Sequence, residues 1–172
     1  MKKIIILAAA LSLAFLFSGC SSLAKMKTTK RMDAANKNEA LINFVRPGVF
    51  MGDGVKFEVW DGETFVGTLA AGTMIQYAAT PGKHTFMVDP TQGGRWAYLN
   101  IETVAGKVYY IKPNIIPLVG LRLGAAEASD PRISDWNDSL TPKTIDTSKT
   151  SPLPKKAIDK AQKNLNAYQS AP

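Results

Sequence analysis

The sequence predicts an all-β fold: a single antiparallel β-sandwich of about seven or eight short strands over 40–125. A flexible N-terminal tether and a largely disordered C-terminal tail with one short helix are expected to flank it. Three observations carry this expectation. Short apolar runs with a period of two recur at regular spacing, the mark of half-buried strands. Glycine, proline and aspartate separate them in turn-forming pairs. Between Leu41 and Leu123 no helical period intervenes, which favours a sandwich or a small barrel.

The chain opens with Lys2 and Lys3, then an apolar run over 4–17 broken by Ser12, then Ser18 and Gly19. A basic head, an apolar stretch and a small-residue exit describe a secretory signal peptide over 1–19. The run is too short to span a bilayer, which takes about 20 apolar residues. Cys20 is the only cysteine, so no internal disulfide can form. An intermolecular bridge, a bystander thiol and a covalent anchor are the three readings of it. Phe17-Ser18-Gly19-Cys20 resembles the bacterial lipobox, with Phe17 where leucine is usual and Leu16 one position earlier. The resemblance implies lipidation of Cys20 by a thioether-linked diacylglycerol and cleavage between Gly19 and Cys20. At least two acyl chains follow, enough for a stable anchor where one is marginal. Ser21 in place of aspartate resembles an outer-membrane address, implying an envelope protein that faces the periplasm and meets the membrane through its lipid.

The formal charge of +7 lies in the ends of the chain. Residues 20–39 carry a net +3 and residues 140–172 a net +4, whereas 40–139 hold eight basic against ten acidic side chains. A nucleic-acid binder needs a basic face on its domain, so no nucleic-acid partner is expected. Basic segments beside a lipid anchor suit an anionic membrane surface, and they also keep flexible tails solvated. About 100 residues remain for a core, enough for one small domain without disulfides.

Residues 20–39 lack periodicity and read as the tether. "ALINFVRP" is a first strand stopped by Pro47, and "GVFMGDG" is a glycine-punctuated loop. In "VKFEVWDG", Val55, Phe57 and Val59 face one way and Lys56, Glu58 and Trp60 the other. Asp61-Gly62 turns this strand into "TFVGTL" as a hairpin. Gly72 precedes "TMIQYAA", and Pro81-Gly82 fits the centre of a type II turn before "KHTFMV". "WAYLNIETV" and "VYYIKP" are expected to pair as a hairpin across Ala105-Gly106-Lys107, with "GLRLGAAEAS" closing the set. The tail, 126–172, holds a proline-spaced linker and a helix over 155–168 whose stripe is Ile158, Ala161, Leu165 and Tyr168. A lone helix of that length is marginal in water, so it either docks on a partner or frays, and fraying is the expectation. If the chain engages a partner, this stripe is where contact is expected.

Taken together, "ALINFVRP", "VKFEVWDGETFVGTL", "TPGKHTF" and "GKVYYIKP" resemble an uncharacterised group of bacterial lipoproteins, domain of unknown function 2846. The Asp-Gly hairpin and Pro-Gly-Lys-His turn also look like the PEGA-type sandwich. The similarity covers roughly 40–113 and rests on turns and core alternation. It implies a secreted, lipid-anchored β-domain and carries no activity with it.

Little in the sequence points to chemistry. A catalytic histidine needs a nucleophile or carboxylate in reach, and the one histidine, His84, has Asp53, Asp61 and Asp89 as candidates. One histidine and an acylated cysteine cannot build a typical zinc site, and "GVFMGDG" lacks the Gly-Lys-Ser/Thr ending of a phosphate loop. No catalytic set, metal or cofactor is therefore expected. Arg46, Trp60, Arg95 and Trp96 have the composition of a binding surface, with core-edge packing as the rival reading. The function expected is a non-enzymatic lipoprotein that binds or scaffolds an envelope protein or glycan. The alternative is a small-ligand or carbohydrate binder with an aromatic face; an enzyme is the weakest reading.

Overall fold

The computed structural model describes residues 22–48, 53–116 and 118–171. The leader 1–19, the cleavage site at Gly19 and Cys20, and most of the "GVFMGDG" loop lie outside the described residues.

The turn signals act where expected. Strand β3 (Phe57–Asp61) reverses at Gly62, with φ of +54°, into β4 (Thr64–Leu69). Strand β5 (Thr73–Ala79) passes through Pro81 into β6 (Gly82–Pro90), and Gly82 has φ of +130°. The remaining strands are β1 (Met26–Thr28), β2 (Ala40–Arg46), β7 (Ala97–Thr103), β8 (Val108–Ile116), β9 (Gly120–Ala126) and β10 (Thr141–Ile145). Helices α1 (Arg132–Ser139) and α2 (Lys155–Gln169) follow β9 and β10 respectively.

The fold is mostly β, with two open sheets among the described residues. One has six strands in the order β1-β10-β5-β2-β8-β9, the other four in the order β4-β3-β6-β7. The inner faces supply one core: Ile42 and Phe44 from β2, Phe57 and Val59 from β3, Phe86 and Val88 from β6, and Ile111 from β8. Phe44 meets Phe86 edge-on at 5.2 Å between ring centroids, tying the sheets together. Each such side chain contributes about 1.5–3 kcal/mol by leaving water.

Several expectations need correction. Pairing is not uniformly antiparallel, because β2 runs parallel to β8 and β5 parallel to β10. The Ala105-Gly106-Lys107 turn joins no hairpin. Gly106, at φ +75°, carries the chain from β7 in the four-stranded sheet to β8 in the six-stranded one.

The boundaries at 40 and 125 also fail, since both expected tails are built into the body. β1 forms an edge of the six-stranded sheet by pairing with β10, Met26 opposite Ile145. Met26 also packs over Gly67, whose φ of +152° and missing Cβ make room; a Cβ there would stand 3.0 Å from Met26 Cε. Past β1, the Met32 backbone exchanges hydrogen bonds of 2.7 Å with the Gln76 amide. The segment 126–172 is not a disordered tail either. Trp136 on α1 and Leu140 after it bury against Val45 and Met74. α2 lays Ala161 and Leu165 over Trp60 and Met87 on the outer face of the four-stranded sheet. The helix gains its stability from that docking and not from its own propensity. For the same reason β3 is buried on both faces instead of one.

Candidate functional site

The chemistry-bearing side chains gather in two places. The first lies where α2, Leu23 and the outer face of the four-stranded sheet meet. Glu58 and Trp60 share that face of β3, and Asp89 and Met87 stand opposite them on β6. Glu58 accepts the Leu23 N–H at 2.9 Å and the Thr68 hydroxyl at 2.7 Å. Burial pushes the Glu58 carboxyl up, and these two hydrogen bonds pull against the shift. Asp89 accepts from Lys160 of α2 at 2.6 Å, and the Lys160 ammonium stands 5.3 Å from the Trp96 ring centre. Between these groups opens a cleft of about 270 Å³, walled by Leu23, Trp60, Asp89, Trp96 and Lys160. That volume falls just short of the roughly 300–1,000 Å³ typical of drug-sized ligand sites, so a single small ring is about what it holds. Two buried polar atoms beside it, Trp60 Nε1 and Asp89 Oδ1, make no hydrogen bond.

The second place surrounds His84. Its Nδ1 lies 2.8 Å from Asp61 Oδ2 and its Nε2 2.7 Å from the Thr80 carbonyl, while the ring stacks on Phe86 at 5.4 Å. Tyr77 donates to the same Asp61 carboxylate at 3.0 Å. Burial, reinforced by Asp61, pushes the Tyr77 phenol up to about 12. A carboxylate and a carbonyl both accept, so each ring nitrogen of His84 faces an acceptor of its own chain. A general base needs one nitrogen free to take a proton from a substrate. Here neither is aimed at open space, although a shallow cleft of about 850 Å³ lies alongside, between β6, β7 and the end of α2. Of Asp53, Asp61 and Asp89, it is Asp61 that meets His84, and the pair ties down the Asp61-Gly62 turn.

The four residues expected to form a binding surface do not come together as one: Trp60 and Trp96 share the first cleft, while Arg46 and Arg95 lie elsewhere. Arg46 is buried at 5 % exposure, with its guanidinium 4.2 Å from the Phe57 ring centre. It donates to the carbonyls of Val55 and Leu69, closing one end of the core. Trp60 is 1 % exposed beneath α2. Trp96 is half-buried against Lys160, and Arg95 is exposed on a separate cleft with Ile115 and Leu121. Glu58 and Lys160 are site residues that sequence reasoning does not single out, and Asp89, considered there as a partner for His84, meets Lys160 instead. The one signal for them is Trp60 itself, a large apolar side chain on the polar-reading face of β3, which needs a cover.

The amphipathic stripe does find a surface, on its own chain. Ala161 and Leu165 bury, and Tyr168 stacks on Tyr98 with ring centres 4.3 Å apart, while Ile158 stays outside. Among the described residues no cluster of three metal-ligating side chains occurs, and no helix is long and apolar enough to cross a membrane. No protein-family model, curated protein or solved structure matches the chain.

Proposed function

We propose that this chain is a bacterial envelope lipoprotein, acylated at Cys20, whose folded body is one non-enzymatic β-sandwich that binds or scaffolds another envelope component. The resemblance to domain of unknown function 2846, and the outer-membrane address inferred from Ser21, belong to the same proposal. The observation that carries it is the join between the lipobox-like sequence and the fold. Leu23 already packs on the cluster around Trp60 and lines the same cleft as Trp96, and its N–H is held by Glu58. Only about 10 Å of chain separates it from Cys20. An acylated Cys20 would therefore seat the body directly on the bilayer instead of on a leash, with its basic residues near the lipid surface. The non-enzymatic part draws support from His84, whose two ring nitrogens are both engaged.

A small-ligand or glycan reading has one observation in its favour. The Trp96 cleft sets an aromatic wall beside a carboxylate–lysine pair, with an indole N–H and a carboxylate oxygen left unpaired. The test is a Cys20→Ala variant against the wild type in a bacterial envelope, with crosslinking and pull-down of the mature protein. The variant is expected to stay unprocessed or to leave the membrane, and the wild type to capture a defined envelope component. A variant processed and retained like the wild type contradicts the anchor.

A further inference from the structure

Strand β8 pairs with β2 only as far as Ile111, opposite Phe44. Its ladder with β9 runs on to Ile116 opposite Gly120. The end of this hairpin is thus a two-stranded ribbon that extends past its supporting strand, on the outer edge of the six-stranded sheet. Its tip is apolar. Ile115, Ile116, Leu118 and Val119 make up four of the seven large apolar side chains left exposed among the described residues, and Leu118 is fully exposed. Leu118 also has φ of +66°, a left-handed conformation that glycine, asparagine or aspartate enters routinely and leucine does not. A water-facing turn has no use for leucine there.

Charge adds a second observation. Residues 112–124 hold Lys112 and Arg122 and no acid, with Asp130 the acid within electrostatic range of Lys112, and the exposed Arg95 shares a cleft with Ile115 and Leu121 just below the ribbon's tip. An apolar tip above a basic collar matches an anionic bilayer, with the side chains among acyl chains and the cations among headgroups.

Position supplies the third. The loop over 90–96 borders the ribbon through Pro90 and Arg95, and borders Leu23 through Thr91 and Trp96. Ribbon and N-terminal segment therefore flank one loop, at one end of the body, and the expected lipid anchor lies a few residues before Leu23.

We propose that the β8–β9 tip is a second membrane contact, which dips Leu118 and Val119 into the headgroup–acyl boundary of an anionic bilayer and fixes the orientation of the body. The proposal rests on the lipid-anchor reading for its geometry and is tested apart from it. Penetration is shallow, because an open ribbon leaves backbone groups unpaired that hydrocarbon does not tolerate.

The experiment uses the full mature lipoprotein carrying Leu118→Cys, with Cys20 blocked by its lipid. An environment-sensitive fluorophore on the new thiol is read in liposomes of phosphatidylcholine and phosphatidylglycerol. Gln169→Cys, beside Lys83 and Glu102 at the C-terminal end of α2, is the reference. Position 118 is expected to shift to the blue and to be quenched by lipids with a spin label at the top of the acyl chain, while position 169 does neither. Acylated, floating protein with no quenching at 118 overturns the proposal and leaves the anchor standing. A blue shift that needs protein concentration and no lipid assigns the tip to a second copy, and also overturns it. If fatty-acid labelling shows Cys20 unmodified, the anchor fails. The same quenching on added vesicles, with Cys20→Ser in the background, then decides the tip alone.

Discussion

Leu165 is the side chain through which α2 is fastened, and its truncation measures whether the C-terminal segment belongs to the folded body. It lies 9 % exposed among Trp60, Met87 and Ala161, at the edge of that cluster and not at its centre. Leucine-to-alanine changes in cores cost about 2–5 kcal/mol, and an edge site that can partly collapse belongs near about 2–3 kcal/mol. A helix of 15 residues is marginal alone, so its order rests on docking, which Leu165 shares with buried Ala161, the Tyr168–Tyr98 stack and the Lys160–Asp89 pair. With a urea dependence of about 2 kcal/mol per molar, Leu165→Ala should lower the unfolding midpoint by about 1–1.5 M. The assay is a urea titration followed by tryptophan fluorescence, because Trp60 and Trp96 both lie at the contact. Amide exchange on the wild type should show α2 protected as strongly as β3. An unchanged midpoint, together with unprotected α2 amides in the wild type, would refute the docking of the helix and restore the frayed end.

Three further outcomes follow from individual groups. Burial raises the folded-state Glu58 pKa, so the native protein holds that proton more tightly than the unfolded chain. The benefit is complete below the ordinary glutamate range and is lost as pH rises through the raised value. Glu58→Gln should therefore raise the melting temperature at neutral pH and change it little in acid, and equal shifts at both pH values count against a buried carboxylate. Tyr77, held up to about 12, should titrate some two units above a free phenol. The 295 nm difference between wild type and Tyr77→Phe reads this directly, and a midpoint near 10 means that the Asp61 contact is open. Gly67→Ala meets both a forbidding φ and Met26 Cε at 3.0 Å, so a loss above about 1 kcal/mol is expected. Adding Met26→Ala should recover only the Met26 part, because Ile75 Cδ1 still stands 3.2 Å from that Cβ and the φ is unchanged; full recovery would show that neither carries strain.

What can be read from the chain is local. The alternation that places Phe57 and Val59 inward, and the turns at Gly62, Gly82 and Gly106, depend on neighbours in sequence. Which sheet the next strand joins does not. The Ala105-Gly106 turn has the same chemistry whether it closes a hairpin or crosses between sheets. β1 and β10 escape notice for a related reason: each is short, Pro142 interrupts one, and Met26 finds its partner more than a hundred residues away at Ile145. The helix is legible from its stripe, but its receptor is not, because Trp60 reads as a surface residue until the helix lies over it. Arg46 reads as a surface group for want of Phe57 and the Leu69 carbonyl, contacts that exist only once β2, β3 and β4 are assembled. The His84–Asp61 pair is one of three that the sequence allows, and its structural use emerges only from the Thr80 carbonyl on the second nitrogen.

The envelope-lipoprotein reading turns on a covalent lipid at Cys20, a few residues before the body held by Leu23. Intact-mass and peptide mass spectrometry of the mature protein, extracted from its membrane, reads that bond. The expected N-terminal peptide starts at Cys20 and carries a diacylglycerol thioether. An N-terminal peptide that starts elsewhere, or a Cys20 peptide with a free thiol, contradicts the anchor.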